Sequence, residues 1–275
     1  MQRITTQHQK SQFVFYPLAV ITLLMTFVIT THTQAWQASQ ATSPLAATFE
    51  AHGGLDRFQS FGTMAYTMKG FPLSAPMAKT NRSTVDLKTR RNRIDGEGFT
   101  VAWDGERAWS TPGPDAVGLP PRFVTLGSFY FIGMPFVFGD DGVVLEEDGY
   151  GTFRGTTYRV VNVSYKPGVG YTSEDEFTVF INPETDRIAL IHHSVTENPD
   201  IDRVTWTFDE FQEVEGLLLP AKMTFYAGWN PDNPVAPGTG ASFTIEDVKL
   251  DTRRPKASLY KAPADAVIDG STDDD

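Results

Sequence analysis

The chain is 275 residues long, has 34 acidic against 23 basic residues for a net charge of −11, and contains no cysteine. The acidic balance opposes binding to nucleic acid or to anionic membrane surfaces. The missing cysteine excludes disulfides, a lipidated-cysteine anchor and a thiol nucleophile, so the fold must be held by its core alone.

The first element is the apolar stretch Phe13 to Ile29, which follows a short segment carrying only Arg3 and Lys10 and precedes small and polar residues. It reads as an export signal over residues 1–35, with small residues before a cut after Ala35 or Ala41. At about 17 apolar residues it also reaches the lower edge of a membrane span, so an uncleaved inner-membrane tether stays open as an alternative. Both readings place the folded part outside the cytoplasm, in the periplasm. Cleavage would remove two cations and no acid, taking the net charge to −13.

A domain over 43–262 follows. Ser43 is a plausible N-cap and Pro44 a plausible first helical residue, with Leu45, Phe49 and His52 at helical spacing. Gly53-Gly54 breaks this helix, and Leu55, Phe58 and Phe61 line a second turn. The opening is therefore a bent amphipathic helix.

Beyond it the period is two. Ten or eleven short strands are predicted, among them Met64 to Lys69, Ser83 to Lys88, Phe99 to Trp103, Arg107 to Ser110, Val143 to Glu147, Thr157 to Tyr165, Phe177 to Ile181, Ile188 to Thr196, Arg203 to Phe211, Leu219 to Tyr226 and Ser242 to Leu250. Asp104-Gly105 is a hairpin signal and Asn182 to Asp186 a longer one, so the strands form an antiparallel meander. Phe99, Val101 and Trp103, and likewise Val204, Trp206 and Phe208, put large apolar groups on one side, so one sheet face is buried. Pro-rich connections run over Thr111 to Arg122 and Asn230 to Gly240, and the acidic tail 263–275 reads as disordered.

The run Ser128 to Asp141 gathers Phe129, Phe131, Phe136 and Phe138 with Tyr130, Ile132 and Met134. It is too short to cross a membrane, which takes about 20 apolar residues, and Gly133 and Pro135 interrupt it. It either fills the core or covers a cavity.

Signatures of catalysis are missing: there is no Gly-x-Ser-x-Gly elbow, no Ser-x-x-Lys and no His-Glu-x-x-His. Gly168-Val169-Gly170 reads as a turn, because it opens no helix that could meet a phosphate. His192 and His193 are adjacent on a strand and point to opposite faces, which argues against one shared metal ion. Asp140-Asp141 and Glu174-Asp175-Glu176 lack the spacing of a calcium loop and read as solvated acids. No catalytic residue, metal or cofactor is assigned.

The order of parts resembles the LolA/LolB-like superfamily of periplasmic lipoprotein carriers and receptors. The residues that carry the resemblance are the signal and bent helix, Val85 to Gly113 with its arginines and Asp-Gly hairpin, Ile132 to Asp140, and Gly216 to Lys222 in the pattern Gly-x-x-x-Pro-x-Lys. More narrowly, Ala51 to Phe58, Leu119 to Phe123 and Asn182 to Ile188 resemble an uncharacterised exported family within that fold group. The resemblance implies an α+β, mainly β fold: an unclosed antiparallel β-barrel of about eleven strands around an apolar cavity that takes acyl chains, closed by an apolar lid. It implies a non-enzymatic carrier for a lipid or lipoprotein acyl chain, monomeric, with transport partners at the inner or outer membrane.

In that family a strand arginine faces the cavity and holds the lid. Arg91 is the matching position, with Arg93 two residues on. The implied lid is Tyr130 to Phe138, with Phe131, Met134, Phe136 and Phe138 facing inward, and the implied walls are Phe49, Phe99, Val101, Trp103, Trp206 and Phe208. Two rival readings remain: a membrane-tethered interaction module whose barrel is packed solid, and a lipid-ester hydrolase on the same scaffold.

Overall fold

A computed structural model describes residues 43–169, 172–196, 203–227 and 240–270. The predicted export segment, Gly170, most of the Asn230 to Gly240 connection and the last five residues lie outside the described residues. Two short helices open the domain, α1 (Ala46–Ala51) and α2 (Leu55–Ser60). Helix α1 begins at Ala46 rather than at Pro44, with Leu45 at its N-cap. Gly53 and Gly54 make the break with φ of 102° and 94°, in the left-handed region that glycine enters without steric cost. Gly53 also passes so close to the backbone of Gly216 that a Cβ would meet its carbonyl oxygen at 2.1 Å.

Thirteen antiparallel strands form one open sheet: β1 (Thr63–Lys69), β2 (Asn81–Asp86), β3 (Asn92–Gly96), β4 (Phe99–Trp103), β5 (Ala108–Thr111), β6 (Val143–Phe153), β7 (Thr156–Tyr165), β8 (Phe177–Ile181), β9 (Ile188–Ser194), β10 (Arg203–Val214), β11 (Leu217–Ala227), β12 (Ala241–Asp251) and β13 (Val267–Ile268). Their order is β13-β5-β4-β3-β2-β1-β12-β11-β10-β9-β8-β7-β6, two meanders joined through the β1–β12 pair. Two strands exceed the expected count. Strand β3 sends only Asn92 and Ile94 inward, so its alternation carries one apolar residue. Strand β13 falls in the tail expected to be disordered, where Val267 pairs with Ser110 and Ile268 with Trp109.

Between the meanders runs helix α3 (Pro121–Ile132), followed by a 3₁₀ turn at Phe136–Gly139. The Pro-rich connection expected to end at Arg122 thus gives way to a helix with prolines at its start, where their fixed φ and missing N–H cost nothing.

Helix α3 shows that the sheet curls. Asn92 of β3 donates its Nδ2–H to the carbonyl of Thr125 at 2.7 Å, while Tyr130, five residues on, hydrogen-bonds Tyr165 of β7. Strands β3 and β7 are eight steps apart in the sheet, roughly 38 Å if it were flat. The whole of α3 spans about 18 Å. The sheet therefore wraps the helix, and the inner residues of both meanders merge into one core that includes Met64, Val101, Val179 and Trp206. No helix among the described residues is long and apolar enough to cross a membrane.

Candidate functional site

Helix α3 divides the interior. One side packs on β3, β4 and β5. The other presents Phe123, Gly127, Tyr130 and Phe131 to a pocket. The rest of that pocket comes from Phe177 of β8, His193 of β9, Val204 and Trp206 of β10, Phe225 of β11, Leu73, Val195 and Tyr165, with Thr172 and Asp175 from the β7–β8 connection. The hydrogen-bond register explains the convergence, since Trp206 lies opposite Ile191 on one side and Phe225 on the other. Gly127 keeps the space open. A Cβ there would meet nothing closer than the Phe123 ring at 3.8 Å.

The cavity volume is about 110 Å³. That approaches the roughly 150 Å³ of an apolar cavity that stays dry and admits benzene, and falls below the about 300–1,000 Å³ of sites that enclose drug-sized ligands.

The aromatic wall is stacked and hydrogen-bonded. Phe131 stacks on Trp206 at 4.4 Å between centroids, and Phe177 on His193 at 4.7 Å. Trp206 donates its Nε1–H to His193 Nε2 at 3.2 Å, and His193 Nδ1–H donates to the Ser194 carbonyl at 2.6 Å. Both ring nitrogens are therefore engaged and the imidazole is neutral. Burial pulls its pKa down to about 4, against the opposing pull of Ser194 and Asp175. His192 turns to Thr205 instead, with Nδ1 3.0 Å from its hydroxyl. The tyrosine pair Tyr130 and Tyr165 forms the opposite polar edge, and burial pushes both hydroxyls well above their ordinary range.

At the mouth, Asp175 accepts from Thr172 Oγ1 at 2.5 Å and from the Thr196 N–H and hydroxyl, both at 2.9 Å. It staples the β7–β8 connection to the end of β9. A separate depression of about 480 Å³ is lined by Phe58, Phe61, Leu87, Lys88, Arg90 and Asp140 among others; there Arg90 is paired with Asp140.

Of the expected cavity residues, Phe131 and Trp206 line this pocket. Phe49, Phe99, Val101, Met134, Phe136, Phe138 and Phe208 are buried in the packed core. Phe136, for instance, stacks on Phe58 at 4.6 Å. Trp103 is half-buried beneath the Arg122 guanidinium. Arg91 and Arg93 sit on the outer side of the sheet: Arg91 Nε donates to the Asp104 carbonyl at 2.6 Å, and Arg93 pairs with Asp95 over the Trp109 ring.

The groups that reach helix α3 and the end of the 3₁₀ turn from this region are their neighbours. Asn92 bonds Thr125, and Arg90 lies 5.5 Å over the Phe129 ring and pairs with Asp140 just past the 3₁₀ turn. Phe123 and Gly127 are missed in the sequence although, with the expected Phe131, their i, i+4, i+8 spacing marks one helix face. Asp175, read in the sequence as a solvated acid, and His193, set aside there as a metal ligand, both line the site.

No protein-family model matches the chain, and no curated protein matches it. Among solved structures the fold is similar to a LolA superfamily protein from Nitrosomonas europaea, at 11% identity and a TM-score of 0.44, over 73% of this chain and 88% of that one. It is also similar to a DUF1329 family protein from Desulfovibrio piger, at 11% identity and a TM-score of 0.48, over 80% of this chain and 100% of that one. At these identities the likeness is one of fold.

Proposed function

We propose that the protein is an exported, non-enzymatic binding or carrier protein that holds one apolar chain of a lipidic ligand between α3 and strands β8 to β11. The observation that carries this reading is the aromatic pocket at Phe131 and Trp206, which the surrounding side chains leave unfilled. Each methylene buried there would contribute about 0.8 kcal/mol. The cavity volume suits a single chain or ring and excludes the several acyl chains of a whole membrane lipid taken in together. Carriage of such a chain between membranes, with partners at either one, is the role that the sequence resemblance supports.

The test is native mass spectrometry of the exported protein, with organic extraction of what it retains. One apolar-chain molecule per protein, absent from a Gly127→Leu variant in which the new side chain occupies the pocket, supports the proposal. A protein that carries nothing and takes up no apolar chain in titration removes it and leaves the packed interaction module.

A further inference from the structure

The charge at the pocket mouth points to the kind of chain it selects. Among the described residues that line the pocket, Asp175 is the one acidic side chain, and no lysine or arginine lines it. The nearby cations are already held. Arg203 pairs with Glu176 at 3.6 Å and Arg90 with Asp140, so neither faces an incoming anion unpaired. Besides the dominant effect of burial, Asp175 raises the proton affinity of His193 and Tyr165 in the pocket wall, against a weaker opposite effect of Arg203 on His193. The Asp175 carboxylate is held at the mouth by its bonds to Thr172 and Thr196. The net charge of −11 adds a long-range field of the same sign.

We infer that the pocket selects apolar chains whose polar end is uncharged or cationic and rejects chains that end in a carboxylate or phosphate. An anionic end entering beside Thr172 would sit in a partly desolvated mouth next to a like charge, with no lysine or arginine among the described lining residues to offset it, where repulsion is screened far less than in water. A hydroxyl or an ammonium meets the same carboxylate as a hydrogen-bond or charge partner. This selectivity rests on the binding role proposed above, and its failure can be told apart from the failure of that role.

The experiment titrates the purified protein at pH 7.5 and low salt with decan-1-ol, decyltrimethylammonium and decanoate, three ligands with the same chain and different ends. The expected result is binding of the first two with decanoate weaker by about tenfold or more. Raising the salt should narrow that ratio. Asp175→Asn should narrow it as well, and Thr172→Lys, which places a cation at the mouth without removing a buried partner of the core, should narrow or invert it. Decanoate binding as well as decan-1-ol, with a ratio unmoved by salt and by Thr172→Lys, overturns the inference while the pocket stands. Binding of none of the three overturns the pocket itself.

Discussion

Phe131 of α3 and Trp206 of β10 stack with ring centroids 4.4 Å apart and planes 26° from parallel. The contact joins the helix to the second meander and forms the wall at which the packed core ends and the pocket begins. Trp206 is fixed from behind by its bond to His193, so the wall is preorganised by the sheet. Truncating Phe131 to alanine should therefore remove the stack and enlarge the pocket together. A loss of about 3–5 kcal/mol is expected, read as a lower urea midpoint at unchanged slope. A loss under about 1 kcal/mol would show that α3 is not docked on Trp206.

Helix α3 should be held by Asn92 and not by the arginines on either side of Asn92. Asn92→Ala leaves the buried Thr125 carbonyl without that donor, at an expected cost of about 1–3 kcal/mol. Arg91→Ala and Arg93→Ala act on the outer surface and should each cost under about 1 kcal/mol. Urea titrations of the three variants decide the matter. A larger loss at either arginine than at Asn92 would contradict the arrangement.

Stability should fall as the solution is acidified from about pH 6.5 to about pH 4. His52 and His193 are buried and neutral; His52 Nδ1–H donates to the Leu218 carbonyl while Nε2 accepts the Ile188 N–H. Burial lowers both pKa values from 6.5 to about 4. The unfolded chain thus binds more protons in that window, so stability is full above 6.5 and lost on the way down, by about 3 kcal/mol per histidine. Asp140, whose carboxyl burial pushes up, gives a weaker slope of the opposite sign just above pH 3.8. Urea midpoints across pH should show the loss, and His193→Gln should flatten it. A midpoint that rises on acidification through this range would refute the neutral assignments.

Much of this fold was written in local patterns. Asp104-Gly105 predicts a hairpin, and Asp104 Oδ1 accepts the N–H groups of Glu106 and Arg107 at 2.9 and 2.8 Å, closing the turn between β4 and β5. Asn182 does the same for β8 and β9, its Oδ1 accepting the Glu184 N–H at 2.9 Å.

Helix α3 was hidden because it is buried on nearly every side. Val124, Phe129 and Ile132 are buried in the core while Phe123, Gly127 and Phe131 line the pocket, so the periodic contrast that identifies a surface helix is absent. The same burial blurred core and cavity. Phe136 and Phe131 are equally apolar in sequence, but only the curl of the sheet decides which one meets Phe58 and which one borders open space. Arg90, Arg91 and Arg93 illustrate a third limit. Arg90 adopts a left-handed backbone with φ of 58°, which turns it toward Asp140 and away from its neighbours' side of the sheet.

The measurement closest to the central claim is a calorimetric titration of the uncharged single-chain ligand decan-1-ol into the wild-type protein and into Gly127→Leu. Gly127 is interior to α3, so leucine should raise the unfolding midpoint through helix propensity, by up to about 1 kcal/mol, while its side chain fills the pocket. Saturable binding to the wild type, weakened about tenfold or more in a variant that is at least as stable, is the expected result. Equal binding by both proteins, or no binding by either, would contradict an apolar guest site between α3 and Trp206.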